Sequence, residues 1–278
     1  MFSSISNFKM IFLVGTTASV VLAIWSIFTF DLFQHREDPY RLYGITPFSE
    51  VWLAEDDEAV HVSLVLVFPY GERANPYELG LAHYVEHLAW HNVRHESANQ
   101  GRHSNAWTSA ASTGYWLTVD PSEVSDAVDR LMSTAKPLQI SAQNALQERD
   151  IVTREYDLRV VENPFADLHT EMVEVLYGGS SYARPVIGTS ESITKYTFEG
   201  AKQLHRDSHR LDEATLLISG PIERTSIKKL LEGLPKQAAL EASSNLSITD
   251  PTLSPSTDIR HASIVGAPER RIIGRSVV

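Results

Sequence analysis

Two histidines four residues apart, in His83-Tyr84-Val85-Glu86-His87, place the tightest demand on how this chain folds. At that spacing both imidazoles project from one face of a helix and can grip a single ion. The run from Glu78 to about Arg94 is accordingly predicted to be a helix, with Asn75-Pro76 supplying a cap and a proline suited to a first turn. Glu86 lies close to the same face without being a third ligand. The chain has no cysteine, so disulfides and thiolate metal sites are excluded and a tightly held zinc must use imidazoles and carboxylates. Zinc bound in that way keeps a position for water and lowers that water's pKa to roughly 7, within reach of a nearby carboxylate base. The competing reading of the motif is a solvated, His-rich helix face, which His91 and His95 continue at the same spacing.

A third metal ligand must come from elsewhere in the fold. Val51–Ala54 and Val60–Phe68 read as strands, and Trp107–Val119 reads as one more. Helices are predicted over Ser122–Ala135 and over Ala142–Val161, the second stopped at Asn163-Pro164. Further helices are predicted over Ala166–Leu176, Phe198–Arg210 and Ile222–Leu234, with a short strand over Ala214–Ser219. Helix Ala142–Val161 offers Glu148 and Glu155, seven residues apart and so on one face. His205 and His209 form a second pair at helical spacing, with Asp207 between them. No base sits correctly beside them, so they read as surface or packing histidines. Gly178-Gly179-Ser180-Ser181 lacks the following Lys and the strand-to-helix setting of a phosphate cradle and reads as a plain turn.

The order His-x-x-Glu-His is the inverted one of the inverzincins. Around it the chain resembles the N-terminal half of the pitrilysin and insulin-degrading enzyme family, to which the mitochondrial processing peptidases also belong. Glu148-Arg149-Asp150 followed by Thr153-Arg154-Glu155 resembles the family's helix after the motif. Ser104-Asn105-Ala106-Trp107-Thr108-Ser109 resembles the strand beside its site. Tyr182-Ala183-Arg184-Pro185-Val186-Ile187-Gly188 and Leu216-Leu217-Ile218-Ser219-Gly220 extend the likeness over Thr46–Pro235. The resemblance implies an α+β fold, a mainly antiparallel sheet packed against helices, as a single half-unit of the pitrilysin type. It implies zinc held by His83, His87 and Glu155, with Glu86 as catalytic base and Glu148 holding a ligand or shaping the field at the metal. It also implies that Asn105, Ala106 and Trp107 lie on a strand that pairs with extended peptide substrate, although Trp107 reads equally well as a core aromatic. One departure is the interval from His87 to Glu155, which is shorter than usual in the family. The missing residues fall before Asn105, where a shorter loop alters the rim more than the metal.

The N-terminus carries the expectation about compartment. Met10–Phe30 is apolar apart from Gly, Ser and Thr and is long enough to span a bilayer as a helix. Lys9 before it and Asp31 after it orient residues 1–9 to the cytoplasm and the remainder to the periplasm or exterior. Cleavage of a signal peptide near Ala23 is the alternative, and either reading exports the domain. A stem over 31–45 then leads to the metallopeptidase domain at 46–235, and a Ser-, Thr- and Pro-rich linker and tail occupy 236–278. The net charge of −11 and the absence of a Lys/Arg cluster argue against nucleic acid as a partner.

Family members enclose peptide between two homologous halves, and no second half follows here. The expected partner is therefore a separate homologous subunit; a homodimer of halves and a truncated product are the alternatives. A catalytically inactive structural or assembly subunit is the other class, and such a subunit is expected to lack one or more of His83, Glu86, His87 and Glu155.

Overall fold

In the computed structural model, which describes residues 38–94 and 104–234, alternation of buried and open positions sets the sheet. Strand β3 (Val62–Phe68) buries Val62, Leu64, Leu66 and Phe68 completely and leaves Ser63, Val65 and Val67 partly open. A period of two with one covered face is what a half-buried sheet requires. β2 (Glu50–Glu55) does the same with Val51 and Leu53, and β6 (Thr215–Gly220) with Leu216 and Ile218. Each such side chain contributes about 1.5–3 kcal/mol by leaving water.

With β1 (Arg41–Leu42), β4 (Ser104–Thr108) and β5 (Thr113–Val119), the strands are ordered β1-β2-β6-β3-β5-β4. β6 pairs parallel with β2 and antiparallel with β3, while β3–β5 and β5–β4 are antiparallel. The result is a mixed α+β fold with one sheet. The predicted single strand Trp107–Val119 is in fact part of a hairpin. Ser109 Oγ accepts the backbone N–H groups of Ala111 and Ser112 at 3.1 and 2.9 Å, reversing the chain between β4 and β5. A serine side chain makes this turn, without the Gly or Asn that usually signals one.

The helices are α1 (Leu81–Arg94), α2 (Val124–Ser133), α3 (Ala142–Tyr156), α4 (Ala166–Tyr177), α5 (Ser190–Thr194), α6 (Phe198–Ser208) and α7 (Arg224–Glu232). α5 stands in a stretch with no predicted element and is opened by a capping box at Thr189 and Ser192. α1 begins at Leu81 and not at Glu78, because the chain passes through Gly80 at φ +80° first. The backbone of Gly80 approaches that of Gly188, at φ +82°, so closely that a Cβ on Gly80 would stand 2.4 Å from Gly188 N. Only glycine tolerates both the sign of φ and the contact.

α1 is buried on two sides, which fixes it more firmly than an ordinary surface helix. Ala89 and Val93 join the core under the sheet, and Leu81, Tyr84, Val85 and Leu88 pack in a second core with Ala145 and Val152 of α3 and Leu204 of α6. Tyr84 Oη donates to the Ala145 carbonyl at 2.6 Å, tying α1 to α3. His205 and His209 belong to this interior. Burial holds His205 down at about 4, its Nε2 lies 2.7 Å from Thr134 O, and His209 Nε2 lies 2.7 Å from Tyr115 Oη. They are packing residues, and Asp207 bonds Gln203 instead.

Ahead of α1, the turn Glu72–Ala74 carries a fully buried carboxylate. Glu72 Oε1 accepts from Arg184 Nη2 at 2.9 Å and Oε2 from Asn75 Nδ2 at 3.0 Å. Burial pushes its carboxyl from 4.5 up to about 7, against the hydrogen bonds of Asn75 and the Gly80 backbone and the charge of Arg184. The folded state therefore holds a proton that the unfolded chain releases above pH 4.5. This contribution to stability is fully present below pH 4.5 and is lost as pH rises through 7, on the order of 3 kcal/mol in all. Thermal melting should show the wild type losing stability relative to Glu72→Gln between about pH 4.5 and 7, and no further loss above that. Parallel curves would contradict the assignment.

The anchor expected over 10–30, the tail over 236–278 and His95 lie outside the described residues. Among the described residues, no helix is long and apolar enough to cross a membrane.

Candidate metal centre

The two-sided burial of α1 aims one of its faces at α3. His83 and His87 stand on that face with ring centroids 4.8 Å apart and planes at 90°. α3 is started by Ser141, whose side chain accepts from Asn144 N at 3.1 Å, and it carries Glu148 and Glu155 on the side turned toward α1. Glu155 Oε2 lies 3.5 Å from His83 Nε2, and Oε1 lies 3.8 Å from His87 Nε2. One ligand atom from each of the three residues falls within 4.8 Å of the others, the only such group of His, Asp and Glu among the described residues. The predicted trio is thus brought together by two helices.

Two features of the trio suit a divalent cation. Glu155 Oε2 is buried without a hydrogen bond: the Arg159 guanidinium stands 3.3 Å away and His83 Nε2 3.5 Å away without bonding it, so the oxygen keeps a lone pair free for a divalent cation. Burial, then the charges of His87 and Arg159, lower His83 to about 3, so its ring is neutral at pH 7 as ligation requires. Two imidazole nitrogens and one carboxylate oxygen, with no thiolate, match the donor set of a zinc site with an open position.

Glu86 faces the same cleft and is almost fully buried. Burial raises its carboxyl above 4.5, opposed by the hydroxyl of Thr108, which donates to Glu86 Oε2 at 2.7 Å. Glu148 lies behind His87, its Oε2 3.1 Å from His87 Nδ1, and its Oε1 is 2.6 Å from His91 Nε2. Burial works to raise Glu148, but the hydrogen bonds of His87 and His91 outweigh it and hold the carboxyl at about 2.

An open cleft of about 970 Å³ lies over these groups. Asn105, Ala106 and Trp107 of β4 line one wall, and α4 and the segment Tyr182–Thr189 line the other. Trp107 is partly buried, its ring lying over Gly114, where a Cβ would come within 2.2 Å of it. The indole thus packs on the sheet and faces the cleft at once. Three residues without a predicted role contribute: Thr108 to Glu86, His91 to Glu148, and Arg159, whose Nη2 is 3.3 Å from Glu155 Oε2. Arg159 sits on the π-helical turn Asp157–Val161 that ends α3, and a widened turn at a helix end leaves no signal in sequence. His91 stands at the spacing of His83 and His87, a signal equally compatible with a solvated face.

The model of the family described as Insulinase (Peptidase family M16) matches residues 50–190. In Schizosaccharomyces pombe the "Probable mitochondrial-processing peptidase subunit beta" is 30% identical over 164 residues, covering 55% of this chain and 35% of that protein. The "Uncharacterized zinc protease YmxG" of Bacillus subtilis is 23% identical over 158 residues, covering 54% and 38%. The chain therefore matches little more than a third of the length of these relatives. Among solved structures, the periplasmic protease PqqL of Escherichia coli superposes with a TM-score of 0.63 at 18% identity, over 77% of this chain and 26% of that one. The likeness to PqqL is one of fold.

Proposed function

The chain belongs to the insulinase family, peptidase family M16, and on that premise we propose that it is a zinc-dependent endopeptidase subunit whose metal ligands are His83, His87 and Glu155. The observation that carries the reading is the convergence of these three residues beside Glu86 in one cleft. Zinc, when bound there, supplies Lewis acidity that makes a water more acidic and polarises a carbonyl oxygen. Glu86 takes the proton of the attacking water as its oxygen bonds to the peptide carbon, and gives that proton to the leaving nitrogen as the C–N bond breaks. Thr108 holds the carboxylate of Glu86 in place through its 2.7 Å hydrogen bond. β4, outermost on its side of the sheet order, offers backbone groups to an extended peptide, a mode of binding with little regard for sequence.

The need for a second homologous half belongs to the same proposal, supported by the large part of each relative that the chain does not match. A membrane tether through Met10–Phe30 rests on the apolar run alone, and fractionation of cells expressing the full chain checks it. All four residues, of which an inactive subunit is expected to lack one or more, are present, which favours the enzyme over a structural role. The purified chain should contain stoichiometric zinc by elemental analysis and cleave unfolded peptides slowly, with the rate rising when a homologous half is added. Protein without stoichiometric metal would end the enzyme reading, and fast cleavage by a verified monomer would end the requirement for a partner.

A further inference from the structure

His83, His87 and His91 occupy successive turns of one face of α1, and the third of them has no place in the three-ligand set. Its partner is Glu148. The two oxygens of that carboxylate are divided between neighbouring turns of α1, Oε2 at 3.1 Å from His87 Nδ1 and Oε1 at 2.6 Å from His91 Nε2. The side chains of His87, Glu148 and His91 are 12%, 6% and 19% exposed, so water competes weakly for these hydrogen bonds. His87 meanwhile turns Nε2 toward Glu155. Its ring is therefore aimed by what holds Nδ1, and the holder is aimed in turn by His91.

We propose that His91 is a positioning residue of the metal centre, which by donating Nε2–H to Glu148 Oε1 fixes the carboxylate that orients His87. The two imidazole hydrogen bonds, one at each oxygen, restrict how the carboxylate turns about its last torsion, and losing the shorter of them, that of His91, relaxes the restriction. Outer partners of metal-bound imidazoles typically account for 10–100-fold in affinity. His91 acts one step further out, so the lower end of that range applies. This inference rests on zinc binding by His83, His87 and Glu155 as proposed above.

The test is zinc affinity of the full chain by competition with a chromophoric chelator, for wild type, His91→Leu, His91→Gln, Glu148→Gln and the double variant His91→Leu with Glu148→Gln. His91→Leu should bind zinc about 10-fold more weakly. His91→Gln, whose amide can still donate to Glu148, should recover most of the loss, and His91→Leu should add less than about 2-fold in the Glu148→Gln background, because coupled residues are not additive. The zinc-free melting temperature of His91→Leu should match that of His91→Gln, whereas both variants carrying Glu148→Gln lose the stability that the carboxylate's hydrogen bonds contribute. Wild-type affinity in His91→Leu, equal losses in the leucine and glutamine variants, full additivity with Glu148→Gln, or a zinc-free melting temperature of His91→Leu that drops below that of His91→Gln would each overturn the role. A wild type that binds no zinc would remove the metal site itself, an outcome distinct from all of these.

Discussion

Replacement of Glu86 by glutamine is expected to leave zinc content at the wild-type level and to lower peptide turnover by about 10²–10⁴-fold, the range for losing a general base. The substitution is close to isosteric at a site only 7% exposed, and the amide oxygen can still accept the Thr108 hydroxyl that Glu86 now accepts at 2.7 Å. What disappears, under the proposed mechanism, is the capacity to take a proton from the attacking water and return it to the leaving nitrogen. Because Glu86 is not one of the three convergent ligands, metal content and activity should separate. Elemental analysis paired with initial rates on an unfolded peptide makes the measurement, and near-normal turnover would take Glu86 out of the mechanism.

His83→Ala and His87→Ala should behave in the opposite way, losing the metal first and activity as a consequence. Either change leaves one imidazole and Glu155, and two protein ligands hold zinc poorly in a site that needs three. The loss of affinity should exceed the 10–100-fold typical of an outer partner. The two variants should also differ from each other. His83 is buried with Nδ1 unbonded, so its removal costs little beyond the ligand, while His87→Ala also strips Glu148 Oε2 of a hydrogen bond. Undiminished zinc in either variant would show that the ion binds elsewhere.

How much of this could be read without coordinates follows from which features are periodic. The spacing of His83 and His87 and that of Glu148 and Glu155 each follow from one helix's geometry, so the face they share is fixed by counting. That the two faces meet depends on α1 being gripped between two cores, which hydrophobic pattern predicts only as a buried helix. Features made by single side chains are not periodic. The turn at Ser109 is one, and it divides what reads as a continuous strand from Trp107 to Val119 into β4 and β5. The bond from Thr108 to Glu86 joins residues 22 apart, and the bond from His91 to Glu148 joins residues 57 apart. Nothing in either residue's neighbourhood announces such a partner.

The place of β6 in the sheet bears on how the chain is made. Residues 215–220 slot between β2 and β3, which lie more than a hundred and forty residues upstream and do not pair with each other. While a ribosome is still producing the stretch before Thr215, those two strands have a gap where their common neighbour belongs, and the platform under α1 is missing its middle. Contacts of such long sequence separation form late and slowly. The convergence of His83, His87 and Glu155 should therefore be completed only after nearly the whole described domain has emerged, so that a nascent chain does not yet hold the assembled cluster.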